Sequence, residues 1–115
     1  MPLTRDFKET VQARVQRDPE FRQSLFQEGI ECTLAGDIDT ANSLLRTYIN
    51  ATMGFSELGK LTKKQPKSLM RMLGPQGNPN ARNFFAIIGC IQRHEGIQLA
   101  VTLRGAAQAP TVSAD

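Results

Sequence analysis

The stretch Phe55-Ser56-Glu57-Leu58-Gly59-Lys60-Leu61-Thr62-Lys63-Lys64-Gln65-Pro66-Lys67-Ser68-Leu69-Met70-Arg71-Met72-Leu73 decides the fold. It reads as two short helices with a tight break between them. Phe55, Leu58 and Leu61 recur every third residue and give the first helix one apolar face. Ser56 is placed to cap that helix, with Glu57 in its first turn. Thr62 to Gln65 interrupts the apolar pattern. Pro66 suits the first position of a new helix, where its missing N–H costs nothing. Leu69, Met72 and Leu73 then form an inner face, which leaves Lys67, Ser68, Met70 and Arg71 on the others. Two short helices, the second presenting Lys, Ser and Arg, fit a helix-turn-helix that reads a DNA major groove.

Working outward, Gly74-Pro75-Gln76-Gly77 marks a loop. Asn78 is expected to cap a helix that Pro79 begins and that runs to about Glu95. Its Phe84, Phe85, Ile87, Ile88 and Ile91 make it the most apolar segment and the expected central core helix. Gly96 closes it. Residues 97–103 alternate apolar and polar and read as a strand. A single strand cannot stand alone, so Ile97, Leu99 and Val101 are expected to contact a second copy or a partner. On the N-terminal side, three helices are expected: Thr4 to about Val15, Pro19 to about Ala35 behind the cap Asp18, and Asp37 or Asp39 to about Thr52.

At 115 residues the chain is expected to form one domain. No apolar run approaches the ~20 residues of a membrane span, and the charged N-terminus is unlike a signal peptide, so a cytoplasmic protein without membrane contact is expected. Cys32 and Cys90 have no metal-ligand spacing and are expected to be reduced and buried. No catalytic Ser-His-Asp set and no metal cluster is evident, so neither an enzyme nor a cofactor is expected. His94 reads as a surface or helix-end residue, and Met53, Met70 and Met72 as core filler. Charge is uneven. Residues 1–40 carry five cations against eight acids, whereas residues 41–115 carry nine against three. Lys60, Lys63, Lys64, Lys67, Arg71 and Arg82 follow one another with no acid between them. Such a one-signed patch is the footprint of a nucleic-acid binder, and the acidic half suggests a grip on a basic partner.

The span Gly54 to Leu103 resembles the Xre-type, lambda-repressor-like helix-turn-helix family. Phe55-Ser56-Glu57-Leu58-Gly59 lies where that family has its first reading helix. Pro66-Lys67-Ser68-Leu69-Met70-Arg71-Met72 lies at its recognition helix. Gly77-Asn78-Pro79 followed by Phe84, Ile87 and Ile91 fits its next helix. Thr4-Arg5-Asp6-Phe7, Arg46-Thr47-Tyr48-Ile49-Asn50-Ala51-Thr52 and Lys67 to Leu73 narrow the resemblance to the addiction-module antidote branch, the HigA-related antitoxins. Lys63 stands where generic family members have a turn glycine, which requires either a left-handed residue or a different turn. Gln65 stands where a Ser or Thr cap is usual.

The expectation is therefore an all-α, lambda-repressor-like bundle. It comprises a helical extension (1–36), the helix-turn-helix domain (37–96), one C-terminal strand (97–104) and a disordered tail (105–115). The resemblance implies a homodimeric autorepressor on a palindromic double-stranded operator that also neutralises a RelE/ParE-like toxin. The alternatives are a stand-alone repressor and a protein-interaction module with a degenerate helix-turn-helix. Lys67, Ser68 and Arg71, with Gln65 beside them, are the candidates for base edges, or for phosphate alone. Lys63, Lys64 and Arg82 are candidates for phosphate. Ser56 and Asn78, at expected helix N-termini, either meet phosphate or only cap.

Overall fold

The computed structural model describes residues 5–105, which contain six helices and no strand. Helix α1 spans Arg5–Arg17, two residues beyond the expected end. Two of its basic residues, Arg14 and Arg17, lie in the last turn, where the helix dipole favours cations. Asp18 then starts α2, Pro19–Leu34: its carboxylate accepts from the Phe21 N–H at 3.1 Å, and Pro19 opens the helix. The stop is a glycine turn. Gly36 takes φ +87, and Asp37 N–H donates to the Cys32 carbonyl at 2.9 Å. Asp37 in turn caps α3, Ile38–Ala51.

The chain turns at Thr52–Met53, and Gly54, at φ +80, begins α4, Gly54–Thr62. The expected cap Ser56 therefore lies inside the helix. No side chain caps α4 at all. Helix α5 is Pro66–Met72 and α6 is Ala81–Glu95. The cap of α6 is Asn80, which accepts from Asn83 N–H at 2.8 Å, and not Asn78. The Asn-Pro-Asn run offers two identical side chains, and the turn geometry selects the second.

One apolar core joins all six helices. Val15 of α1, Phe26 of α2, Leu45, Tyr48 and Ile49 of α3, Leu58 of α4, Leu69 of α5 and Ile87 and Ile91 of α6 are all almost completely buried within it. Burying each such aliphatic side chain contributes about 1.5–3 kcal/mol. Phe26 stacks on Tyr48 with ring centroids 5.0 Å apart. The N-terminal helices thus share the core of the rest of the chain. The central helix is α3, which packs against α1, α2 and α4. Helix α6 was the expected centre because it is the most apolar, but its Phe85 faces solvent at 66% exposure.

Residues 97–105 form no strand. Ile97 and Leu99 pack back onto the chain's own core, and Leu99 N–H donates to the Gln92 side-chain oxygen at 2.7 Å. Val101, the third residue expected to make an intermolecular contact, is exposed. Of the expected tail, 105–115, all but Gly105 lies outside the described residues. Cys90 is buried as expected, and Cys32 is only half-buried. His94 sits in the last turn of α6, with Nδ1 2.9 Å from a Glu95 carboxylate oxygen. Met53 and Met72 pack against the core, whereas Met70 is about half exposed.

Candidate nucleic-acid interface

Helices α4 and α5 meet at a turn built by close approach. At Gly59 a Cβ would lie 2.8 Å from the Lys64 carbonyl oxygen and 3.1 Å from Pro66 Cγ, so glycine lets the turn fold over α4. Lys63 supplies the reversal in the left-handed conformation, φ 60 and ψ 40. Of the two possibilities the sequence left open there, this is the first. Lys64 N–H then donates to the Gly59 carbonyl at 3.0 Å. Gln65 occupies the cap position of α5 without a side-chain hydrogen bond.

The far end of α5 is held from α3. Asn42, 2% exposed, donates through Nδ2 to the carbonyls of Gly74 and Gly77. One turn further along α3, the Arg46 guanidinium donates to the Leu73 carbonyl. The loop is tight here as well. A Cβ at Gly77 would fall 2.2 Å from the Met72 carbonyl oxygen. Helix α5 is thus anchored by the buried Leu69 and Leu73, by its turn, and by two polar side chains of α3.

Around this frame Ser56, Lys60, Lys63, Gln65, Lys67 and Arg71 are exposed, and Lys64 and Ser68 are half-exposed. Leu61, expected on the inner face of α4, is 48% exposed beside these cations, and Met70 joins it on the outside of α5. Among the described residues no cation from Lys60 to Arg82 pairs with a carboxylate. Their charge is left to solvent or to a ligand. Arg82 is exposed in the first turn of α6.

Asn78 falls elsewhere. It lines an open groove of about 270 Å³ between α2, α3 and α6, together with Thr33, Ile38, Pro79, Phe84 and Phe85 among others. Near this groove the thiol of Cys32 is pushed up in pKa by desolvation and then by the carboxylates of Asp37, Glu28 and Glu31, which places three acids around it. Ile38, Phe85 and, next to Thr33, Leu34 are exposed large apolar residues.

Sequence reading missed Asn42, Arg46 and Gly59. A signal existed for Asn42: it interrupts the apolar stripe of Ile38, Ala41 and Leu45 at a position that turns out buried, and a buried amide needs partners. It also missed Arg22, which donates to the Val15 carbonyl at 2.9 Å and pairs with Glu95 at 3.5 Å, tying α1, α2 and α6 together. Among the described residues no helix is long and apolar enough to cross a membrane. Compared with protein-family models, curated proteins and solved structures, the chain gives no match.

Proposed function

We propose that this chain is a DNA-binding antitoxin and autorepressor: a homodimer that reads a palindromic operator through α5 and neutralises a RelE/ParE-like toxin. The observation that carries the DNA half is the α4–turn–α5 unit. Its turn closes over Gly59, and its exposed Lys60, Lys63, Lys67 and Arg71 pair with no carboxylate among the described residues. Unpaired cations on a short, firmly seated helix suit phosphates and the acceptor edge of guanine. Exposed Met70 suits a thymine methyl. The toxin half is supported by the family resemblance and by the acidic N-terminal half.

The test is binding of the purified protein to its own upstream DNA and to a scrambled duplex across a salt series. Sequence-preferring binding that weakens with salt is expected. The Lys67→Ala/Arg71→Ala variant is expected to lose about 1–3 kcal/mol of discrimination per base contact removed, or about one unit of salt slope per phosphate contact. Unchanged affinity and preference in that variant sinks the assignment of α5. Co-expression with the product of the adjacent gene tests the toxin half, and absence of a complex removes it. The apolar groove favours a second reading, a protein-interaction module with a degenerate helix-turn-helix, which equal weak binding to both duplexes would support.

A further inference from the structure

We propose that residues 97–104 pair antiparallel with the same residues of a second copy, about a two-fold axis at Val101. The segment has the backbone of a strand that lacks a neighbour. Burial alternates along its first half: Ile97 and Leu99 are half-buried, and Gln98 and Ala100 are exposed. That is the two-residue period of an extended chain. None of residues 97–104 takes a positive φ. One edge of the segment is already used. Ile97 N–H donates to the Gln92 carbonyl at 3.0 Å, and Leu99 N–H donates to the Gln92 side-chain oxygen at 2.7 Å. In extended backbone, alternate residues turn their N–H and C=O groups to the same edge. Ile97 and Leu99 therefore face α6. The backbone groups of Gln98, Ala100, Thr102 and Arg104 face the other edge, where they make no hydrogen bond among the described residues. Val101 and Leu103, 86% and 96% exposed, continue the apolar stripe that Ile97 and Leu99 begin on the core.

The side chains point to the segment's own copy as the occupant. Leu99-Ala100-Val101-Thr102-Leu103 has leucines flanking a central valine, with Ala and Thr between them, and its pattern reads alike in either direction. An antiparallel copy centred on Val101 sets Val101 against Val101, Leu99 against Leu103 and Ala100 against Thr102, so apolar meets apolar on one face. A slip of one residue would set Val101 against Thr102 and Leu99 against Arg104. The open edge makes Ala100–Thr102 and Gln98–Arg104 the hydrogen-bonded pairs. The apolar pairs then fall at the non-hydrogen-bonded positions, where opposed side chains lie closest. Arg104 is the one charge between Gly96 and Gly105, and this register places it opposite Gln98 and not opposite its own copy. A foreign sheet edge would satisfy the same hydrogen bonds, but the two-way symmetry of the sequence is what self-pairing requires. The inference rests on the homodimer reading above and names its surface; it does not depend on DNA binding.

The experiment uses the full chain. Sedimentation equilibrium is expected to show a dimer. Thr102→Pro removes an N–H from the open edge, leaves the hydrogen bonds of the monomer in place, and is expected to weaken dimerisation at least about tenfold. Val101→Cys puts two thiols on the axis, with Cα atoms about 4.5 Å apart, and is expected to cross-link the dimer under mild oxidation. Leu103→Cys puts them four residues out of register, about 13 Å apart, and is expected not to cross-link. The parent chain, with Cys32 and Cys90, sets the background. The inference is overturned by a monomeric parent, by a dimer insensitive to Thr102→Pro, or by cross-linking that is absent at Val101→Cys or equal at the two positions. DNA binding is read separately. A dimer that ignores its upstream DNA sinks the assignment of α5 alone. Sequence-preferring binding by a chain whose dimer ignores Thr102→Pro sinks the pairing alone.

Discussion

Helices α2 and α3 each begin on an aspartate that accepts a hydrogen bond from the helix's own first turn, whereas α4 and α5 begin without a side-chain cap. The first pair are specified locally, within three residues of their start. The second pair are specified from outside, by Gly59 under the turn and by Asn42 and Arg46 of α3. Local capping fixes where a helix starts but says little about its direction. Close approach and long-range hydrogen bonds fix direction, which is what a surface that must match a rigid ligand requires.

The largest expected break in this comparison is Gly59→Val. Its side chain would enter the Lys64 carbonyl and Pro66, so a loss of about 1–3 kcal/mol in urea unfolding is expected, together with DNA binding. Unchanged stability would mean that the turn is not built on close approach. Asn42→Leu comes next. It keeps the branched shape but removes the donor to Gly74 and Gly77, at a cost of about 1–3 kcal/mol for the orphaned carbonyls. Operator affinity should fall with it; if affinity holds while stability drops, α3 does not orient α5.

Lys63→Gly sharpens the same point with the opposite sign. Relief of left-handed strain, about 1–2 kcal/mol, is offset by the backbone entropy of glycine, about 0.5–1 kcal/mol. A net gain below about 1 kcal/mol in thermal unfolding is expected, with weaker DNA binding from the lost cation. A loss of stability would indicate that the lysine stem packs in the turn.

Asp18→Ala probes the locally capped pair, with an effect confined by pH. The Phe21 N–H and, after it, Arg14 hold the Asp18 carboxyl below its ordinary pKa. A lowered folded value means that the cap's contribution is present above the ordinary carboxylate range and is lost as pH falls through the folded value. The gap in Tm between the parent and Asp18→Ala should therefore be open at neutral pH and close on acidification. A gap independent of pH would show that the carboxylate's charge is not what caps α2.

Much of this architecture was legible because it is local. Asp18-Pro19 and Gly36-Asp37 announce the boundaries of α2 and α3, and Pro66 announces α5, through side chains that act within one turn. The start of α4 was illegible because no side chain makes it; Ser56 resembled a cap only because serines usually do. Alternation over residues 97–103 could not distinguish a strand from an extended segment whose Ile97 and Leu99 are tucked against its own core. Apolar content misjudged α6, since hydrophobicity counts Phe85 regardless of the direction in which it points. Leu61 was misplaced because a three-residue repeat drifts around a helix of 3.6 residues per turn. The cationic face was visible as composition, but the contacts that seat it join residues 27 to 35 positions apart.

That separation bears on whether the α4–α5 unit can be transplanted. A fragment that begins after Asn42, or ends before Gly77, still contains every residue of both helices. It lacks a donor or an acceptor of the bond that sets their direction. Two helices of nine and seven residues, without side-chain caps, are also too short to hold shape alone. The cationic surface belongs to the whole domain, and grafting its sequence elsewhere would carry the charges without their arrangement.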